Sequence, residues 1–282
     1  MRVLLVPNTG NPAAVAASVE LTTWLVGQGW VPVLSAEDAA GIGMPAYGVP
    51  ASEIGTPLMV VALGGDGTIL KAVHLLGDVE VPVLGVKFGR LGFLSGAAPE
   101  AMREAVATVL AGEARIERRA TLRAEVFMEG RSVGVYRALN EVVLSRGASA
   151  RVVAIDVDID SHRVARLRAD GVIVSTATGS TAYALSAGGP VVAPGFGGMV
   201  VVPVAPHTLS VRPLVTDSHE SVQLSLPDPT RCDACVIVDG EAMPCRQNIE
   251  RLVVTRGSHD VLLAKLDGRD FYETVSAEFF GG

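Results

Sequence analysis

A chain of 282 residues suits one large domain or two medium ones, and 49% apolar against 19% charged residues excludes global disorder. A net charge of −7 argues against a dedicated nucleic-acid binder while leaving room for a local phosphate pocket, and 5% aromatics are too few for a base-stacking platform. No apolar run reaches the roughly 18 residues of a membrane span, and Met1 to Pro7 is too short for a secretory signal, so a cytoplasmic protein is expected.

Val3 to Val6 reads as the first strand. Asn11-Pro12 then supplies an N-cap and a proline at the first helical position. Val15, Val19 and Leu25 or Val26 follow at helical spacing, and Gly27 and Gly29 close the segment. Val31 to Leu34 is a second strand, and 35–56, rich in Gly, Pro, Ala and Ser, reads as a loop. The unbroken run Leu58 to Leu63 fits a strand buried on both faces of a parallel sheet. A glycine-rich turn leads to a helix from Ile69 to Leu76 and a strand from Val81 to Val86. A helix from Pro99 to Leu110 carries Met102, Val106 and Leu110 on one face. This alternation predicts a parallel sheet covered by helices.

Near 115 the period changes. Leu122, Ala124, Val126 and Met128 alternate with more polar neighbours, as Val153, Ile155, Val157 and Ile159 do with Ala154, Asp156, Asp158 and Asp160. A period of two marks strands with one wet face. Further strands are expected at 140–145, 199–204, 220–226, 234–239, 250–255 and 260–266, with one helix near 179–187. The expected architecture is an α/β, Rossmann-like N-terminal domain with a parallel sheet over 1–115, then a β-rich, sandwich-like domain over 116–270. A tail over 271–282 ends in Phe279-Phe280 and is expected to pack back on the first domain.

Cys232, Cys235 and Cys245 make no disulfide framework. Cys232 and Cys235 form a lone C-x-x-C with no second pair or suitably spaced histidine to complete a zinc site, so no protein-held metal is expected.

Chemistry concentrates in three places. The first is Gly64-Gly65-Asp66-Gly67-Thr68, between a buried strand and a helix. Glycines there allow a ligand close to the backbone and allow positive φ, and a helix start attracts phosphate. Taken alone, the turn reads equally as a cap with Asp66 at the N-cap position. It matches neither a Walker loop nor the G-x-G-x-x-G fingerprint. The second is Asp170 to Pro190, a strand, a hydroxyl-rich turn and a short helix suited to polar recognition of a ligand. The third is Asn140-Glu141, which opens the apolar run Val142-Val143-Leu144.

Together these segments resemble the NAD kinases. Gly64 to Thr68 is similar to the family's G-G-D-G-T motif, Asn140-Glu141 to its N-[DE] pair, and 170–190 to its D-G-x-x-x-S-T-P-T-G-S-T-A-Y-x-x-S-x-G-G-P segment. Gly89-Arg90-Leu91-Gly92-Phe93-Leu94 resembles its G-x-L-G-F-L run. Pro206-His207-Thr208-Leu209-Ser210 with Arg212-Pro213 resembles its P-H-x-L-x-x-R-P element. The resemblance implies phosphoryl transfer from ATP, or polyphosphate, to the adenosine-ribose 2′-hydroxyl of NAD, giving NADP, with Mg²⁺ accompanying the donor. It makes Asp66 the general base and Gly64, Gly65, Gly67 and Thr68 the donor-phosphate loop. Asp66 and Gly67 also touch NAD on this reading, and Asn140, Glu141, Thr181, Ala182, Tyr183 and Ser186 bind its adenosine and ribose parts. Ala184 and Leu185 lie in the same binding segment. Asp170 falls toward the nicotinamide end, and Arg151 and Arg168 where the family places basic contacts. The resemblance also implies a homodimer or homotetramer, while charge and hydropathy lead to the expectation of no nucleic-acid or membrane partner.

Three departures stand out. Ala177 replaces the family's usual proline, Lys87 stands where a smaller polar residue such as Asn is expected, and Glu241 sits where a neutral amide is common. Lys87 is a candidate contact for a donor phosphate. Two rivals compete with this reading. A lipid or sugar kinase of the same superfamily shares the Gly64–Thr68 turn, but the Thr178–Tyr183 match and the lack of a basic amphipathic segment oppose it. A catalytically silent NAD sensor is opposed by the presence of Asp66.

Overall fold

The computed structural model describes residues 1–89, 92–147, 152–208, 210–229, 233–244, 248–266 and 270–281. Arg90, Leu91, Arg151, Leu209, Cys232 and Cys245 from the sequence analysis lie outside the described residues. The chain divides into two compact units, 1–118 with 261–282, and 119–260.

The first unit comprises β1 (Arg2–Pro7), α1 (Pro12–Gly27), β2 (Val31–Ser35), α2 (Ala36–Gly41), β3 (Gly48–Val49), β4 (Met59–Gly64), α3 (Asp66–Leu76), β5 (Pro82–Lys87), α4 (Met102–Leu110) and β6 (Arg115–Arg119). The chain returns to it as the last strand, β19 (Val261–Lys265), and a final helix, α6 (Phe271–Phe279). The sheet order is β3-β2-β1-β4-β5-β19-β6, and its first six strands run parallel. From β1 the chain builds outward through β2 and β3, then adds β4 on the opposite side of β1. Strand order therefore reverses between β1 and β4, the position where open parallel sheets bind ligands at their strands' carboxyl ends. At that position the Asn8 N–H donates to the Leu63 carbonyl at 2.8 Å, and the Gly64–Thr68 turn follows directly.

All six residues of β4 are buried, as an inner parallel strand requires. Helix α1 is capped as expected, with Asn11 Oδ1 accepting from the N–H groups of Ala13 (3.0 Å) and Ala14 (3.4 Å). Its buried face is not the Val15–Val19 stripe, however, but Ala14, Ser18, Leu21, Thr22 and Leu25. Ser18 and Thr22 tolerate burial because each hydroxyl donates to the carbonyl four residues back, at 2.7 Å. The expected loop at 35–56 holds α2, β3 and two short 3₁₀ turns. Ser35 caps α2 by accepting from the Asp38 N–H (3.1 Å), and the buried Asp38 carboxylate pairs with Lys71 of α3 at 2.6 Å.

The strand near 260–266 is corrected more substantially. Although β19 follows a run of antiparallel strands in sequence, it pairs with β5 in the parallel sheet, Leu262 opposite Pro82 and Leu263 opposite Val83. Residues 261–270 thus fall outside the β-rich unit, and the division lies at 118/119 rather than 115/116. Nearby, the Lys265 ammonium donates to the carbonyls of Phe93 (3.1 Å) and Ser95 (2.8 Å). The tail helix α6 sets Phe271 and Phe279 against Phe93, both at 5.8 Å between ring centroids.

The second unit contains β7 (Leu122–Met128), β8 (Arg131–Ala138), β9 (Glu141–Arg146), β10 (Val153–Ile159), β11 (His162–Ala169), β12 (Gly171–Ser175), α5 (Tyr183–Ser186), β13 (Met199–Val204), β14 (Leu214–Thr216), β15 (Val222–Ser225), β16 (Ala234–Val238), β17 (Glu241–Ala242) and β18 (Arg251–Arg256). Two six-stranded sheets result, ordered β11-β10-β15-β18-β7-β8 and β14-β13-β12-β9-β16-β17. One apolar core joins them: Val126, Ile155, Leu224 and Leu252 from the first sheet pack with Val142, Leu144, Val172, Val201 and Val236 from the second. That shared core makes the unit a β-sandwich.

The second sheet is buried on its other face too, where Val143, Ile173, Val200 and Val202 meet Ala184 of α5. This double burial accounts for its unbroken apolar runs. On β10 the alternation misleads. Asp156 and Asp158 are buried, because Arg163 and Arg166 of β11 reach across to form ion pairs of 2.5–2.8 Å with them.

Gly96 lies directly beneath β19: a Cβ there would collide with the Ala264 carbonyl oxygen and come within 3.1 Å of Leu84 Cδ1. Because neither backbone nor packed leucine yields easily, Gly96→Ala is expected to destabilise the chain by roughly 1–3 kcal/mol, read as a lower urea midpoint at unchanged m-value. An unaltered midpoint would show that β19 moves freely.

Candidate active site

In the first unit, Gly65 occupies the N-cap of α3 and Asp66 the first helical position. Of the two readings of the turn, the capping one is removed: no side chain among the described residues caps this helix, Asp66 included. Positive φ is not the reason for the glycines either, since none of Gly64, Gly65 and Gly67 adopts it. Gly64 is required by packing, because a Cβ there would strike Thr68 Oγ1 and come within 2.9 Å of Asn8 Cβ. A Cβ on Gly65 or Gly67 would meet nothing within 4 Å, so their bareness leaves open space against the backbone. Space beside a helix N-terminus suits an anion approaching the first N–H groups.

The Asp66 carboxylate is 43% exposed and pairs through Oδ1 with Lys87 Nζ at 3.2 Å. Lys87 is the last residue of β5, in register with Gly64. Gly92 lies against both groups: a Cβ there would collide with Lys87 Nζ and come 2.9 Å from Asp66 Oδ2. The Gly92 N–H in turn donates to Ser95 Oγ at 3.1 Å.

In the second unit the organising group is Asp239, which sequence reasoning missed. It sits in the turn between β16 and β17 with φ +46°, followed by Gly240 at +86°. Its carboxylate accepts from three successive backbone N–H groups, Leu139 (2.8 Å), Asn140 (2.7 Å) and Glu141 (3.1 Å). The Asp239 N–H donates back to the Glu141 carbonyl at 3.0 Å. The start of β9 is thereby clamped from one side.

From the other side come the hydroxyls of the 170–190 segment. Ser175 Oγ donates to the Asn140 carbonyl (3.1 Å) and Thr176 Oγ1 to that of Leu139 (2.6 Å). Gly179 lies so close that a Cβ would strike the Asn140 carbonyl oxygen. Ser180 is fully buried, donating to Ala177 O (2.7 Å) and accepting from the Val192 N–H (3.0 Å). These hydroxyls hold the chain together rather than facing outward.

Glu141 is consequently unusual. Burial first, and the Asp239 charge second, push its carboxyl up to about 7 from 4.5, against a hydrogen bond from the Tyr183 backbone that lowers it. Its Oε2 is buried without a hydrogen-bond partner among the described residues. A buried orphan acceptor beside a helix start is a place for a ligand's polar atom. Around it, Asn140, Thr181, Ala182 and Leu185 are half-buried, Ala184 is buried, and Tyr183 and Ser186 are at least partly exposed. The expected helix at 179–187 is a 3₁₀ turn over Gly179–Thr181 and the short α5, interrupted at Ala182.

Asp170 is half-buried and paired through Oδ1 to Arg146 Nε at 2.8 Å, a partner the sequence did not single out. Arg168 is exposed on β11. Gly64, Gly65, Asp66, Gly67 and Thr68 belong to the first unit; Asn140, Glu141, Arg168, Asp170 and 181–186 belong to the second. Sequence missed Asp239 because an Asp-Gly between two strands ordinarily means a turn, with nothing local to reveal partners a hundred residues away.

Residues 3–114 match the ATP-NAD kinase N-terminal domain, and 139–266 the ATP-NAD kinase C-terminal domain. The chain belongs to the ATP-NAD kinase family. An NAD kinase of Acidobacterium capsulatum is 39% identical over 261 residues, covering 88% of this chain and 91% of the relative. One of Shewanella oneidensis is 35% identical over 279 residues, 99% and 96% of the two chains. Among solved structures, yeast NADH kinase complexed with NADH matches with a TM-score of 0.90 at 27% identity, covering all of this chain and 87% of that one. Family membership dismisses the lipid-kinase rival. The matched C-terminal domain runs to 266, past the point where β19 joins the first sheet.

Glu141 leaves a signature in stability. With its carboxyl raised to about 7 in the fold, the unfolded chain ionises first, so stability falls as pH rises from about 4.5 to about 7. The expected loss is on the order of 3 kcal/mol across that window. In Glu141→Gln this part of the pH dependence disappears, as urea unfolding at pH 5, 6 and 7.5 will show; an identical slope in the variant refutes the assignment.

Proposed function

We propose that the phosphorylation of NAD to NADP, the activity of the family to which this chain belongs, proceeds here with Asp66 as general base and the second unit's β9 start and α5 segment as the NAD contacts. The observation that carries this is a carboxylate at the first turn of α3 that caps nothing, exposed beside two bare glycines at the strand-order reversal. Asp66 accepts the proton of the adenosine-ribose 2′-hydroxyl as that oxygen bonds to the donor's terminal phosphorus, while the phosphoanhydride bond breaks and ADP, or the shortened polyphosphate, leaves with the bonding pair. A carboxylate is a weak base, with an ordinary pKa of about 3.9, but phosphoryl transfer is loose and the proton leaves late. Positioning carries most of the acceleration.

Gly65 and Gly67 leave the backbone open to the donor's phosphates, and Thr68, buried against Gly64, shapes the turn. On the NAD side, Asn140 and Glu141 are held by Asp239, Ser175 and Thr176, so that their side chains meet the ligand from a fixed backbone. Thr181, Ala182, Tyr183 and Ser186 continue that surface, Ala184 anchors it by packing on Val143 and Ile173, and Leu185 lies between. Asp170, oriented by Arg146, serves the nicotinamide end, with Arg168 as an exposed cation for the pyrophosphate.

The described residues hold no group of three or more acidic, His or Cys side chains that would cage a metal. A single carboxylate fits Mg²⁺ arriving on the donor's phosphates: Asp66 would hold the ion, which would supply neutralisation of the phosphate charge.

Asp66→Asn preserves shape and a hydrogen-bonding oxygen while removing the base. NADP formation from NAD, Mg²⁺ and ATP is expected to fall by about 10²–10⁴-fold, with NAD affinity kept. Undiminished turnover would remove Asp66 from the mechanism, and running the assay with polyphosphate in place of ATP identifies the donor.

A further inference from the structure

Lys87 is a feature of the first unit that the proposed mechanism does not use. Of the chain's three lysines, Lys71 pairs with the buried Asp38, and Lys265 donates to two loop carbonyls. Lys87 pairs with a carboxylate more exposed than itself, its side chain being 20% exposed against 43% for Asp66. Its stem is covered, and its ammonium comes out at the Gly64–Thr68 turn because β5 ends level with Gly64. Gly92 has no side chain where the ammonium–carboxylate pair sits, and any Cβ would displace it.

The electrostatics of the turn give this pairing a task. A carboxylate placed among donor phosphates repels them, which weakens the attraction of the helix N-terminus. An ammonium in contact with that carboxylate cancels the local charge, and a lysine has three N–H donors. One is directed at Asp66 Oδ1 at 3.2 Å. That leaves N–H donors on the ammonium for an anion that reaches the turn.

We propose that Lys87 binds the phosphoryl donor, its ammonium taking a non-bridging phosphate oxygen of a phosphoanhydride while remaining against Asp66. The inference rests on the reading of Gly64–Thr68 as the donor turn with Asp66 as base, and adds a residue that touches the donor. Lysine serves better than arginine for this purpose, since a compact point charge can contact a carboxylate and a phosphate at once.

The test uses binding rather than turnover. Calorimetry on the full chain measures a non-hydrolysable ATP analogue, inorganic tripolyphosphate and NAD, each against the wild type, Lys87→Met and Lys87→Arg. Loss of a charge-assisted contact weakens both phosphate ligands by about tenfold or more in the Met variant, while the Arg variant stays within about threefold. NAD affinity stays within about twofold in both, which also shows that the variants fold. Unchanged phosphate binding in Lys87→Met overturns the proposal. So does a loss confined to the ATP analogue, which would mark a nucleoside contact, or an equal loss for NAD, which would mark a structural role. Because binding needs no proton transfer, the result does not depend on whether Asp66 acts as a base: a fully active Asp66→Asn sinks the base assignment, whereas donor affinity decides Lys87.

Discussion

The reversal of strand order between β1 and β4 is the constraint on which the first unit's chemistry depends. Parallel strands leaving the sheet in opposite lateral directions open a crevice at their carboxyl ends. Here that crevice receives the turn after β4, whose six residues are wholly buried and so hold the turn's starting point rigidly. The Asn8 N–H to Leu63 carbonyl bond ties the two strand ends together. Everything at the turn follows from that anchorage: α3 begins at once, Asp66 falls on its first position, and the neighbouring strand delivers Lys87 beside it. The return of β19 to the same sheet braces the far wall, since Lys265 fixes the carbonyls of Phe93 and Ser95, and Ser95 receives the N–H of Gly92.

The second unit solves a different problem, that of holding a strand start in place. Strand ends fray unless their N–H and C=O groups are satisfied. At residues 139–141, Asp239 takes three N–H groups while Ser175 and Thr176 donate to two carbonyls. The backbone is thus firmly engaged, and the side chains of Asn140 and Glu141 are left for other work. Asp239 accepts from three donors, while its neighbour Glu141, through burial first and the Asp239 charge second, is pushed toward the neutral form.

Both halves rely on absent side chains as much as on present ones. Gly64 and Gly179 are bare because another group occupies the Cβ position, Thr68 in the one case and the Asn140 carbonyl in the other. Gly65 and Gly67 are bare with nothing near them. The distinction separates glycines that serve packing from those that leave open space, and no inspection of the motif's letters makes it.

Much of this protein was legible in its residues. Apolar runs and their period located β1, β2, β4, β5, α3 and α4, as well as the alternating strands β7 and β10, because burial on one face or two leaves a local trace. The ordered motifs from Gly64 to Arg212 pointed to the family, since close approach to a nucleotide restricts which residues can stand at each place. Other features have no local trace. Strand β11 is an arginine-rich edge whose partners are the buried Asp156 and Asp158, α2 depends on a cap and an ion pair to Lys71, and α1 buries two hydroxyls satisfied within the helix. The membership of β19 in the first sheet, the grip of Asp239 on a strand start about a hundred residues earlier, and the contact of Lys87 with Asp66 were decided only by tertiary structure. Hydrogen bonds and ion pairs between segments distant in the chain depend on where the backbone is brought together, and composition and periodicity record burial, not partnership.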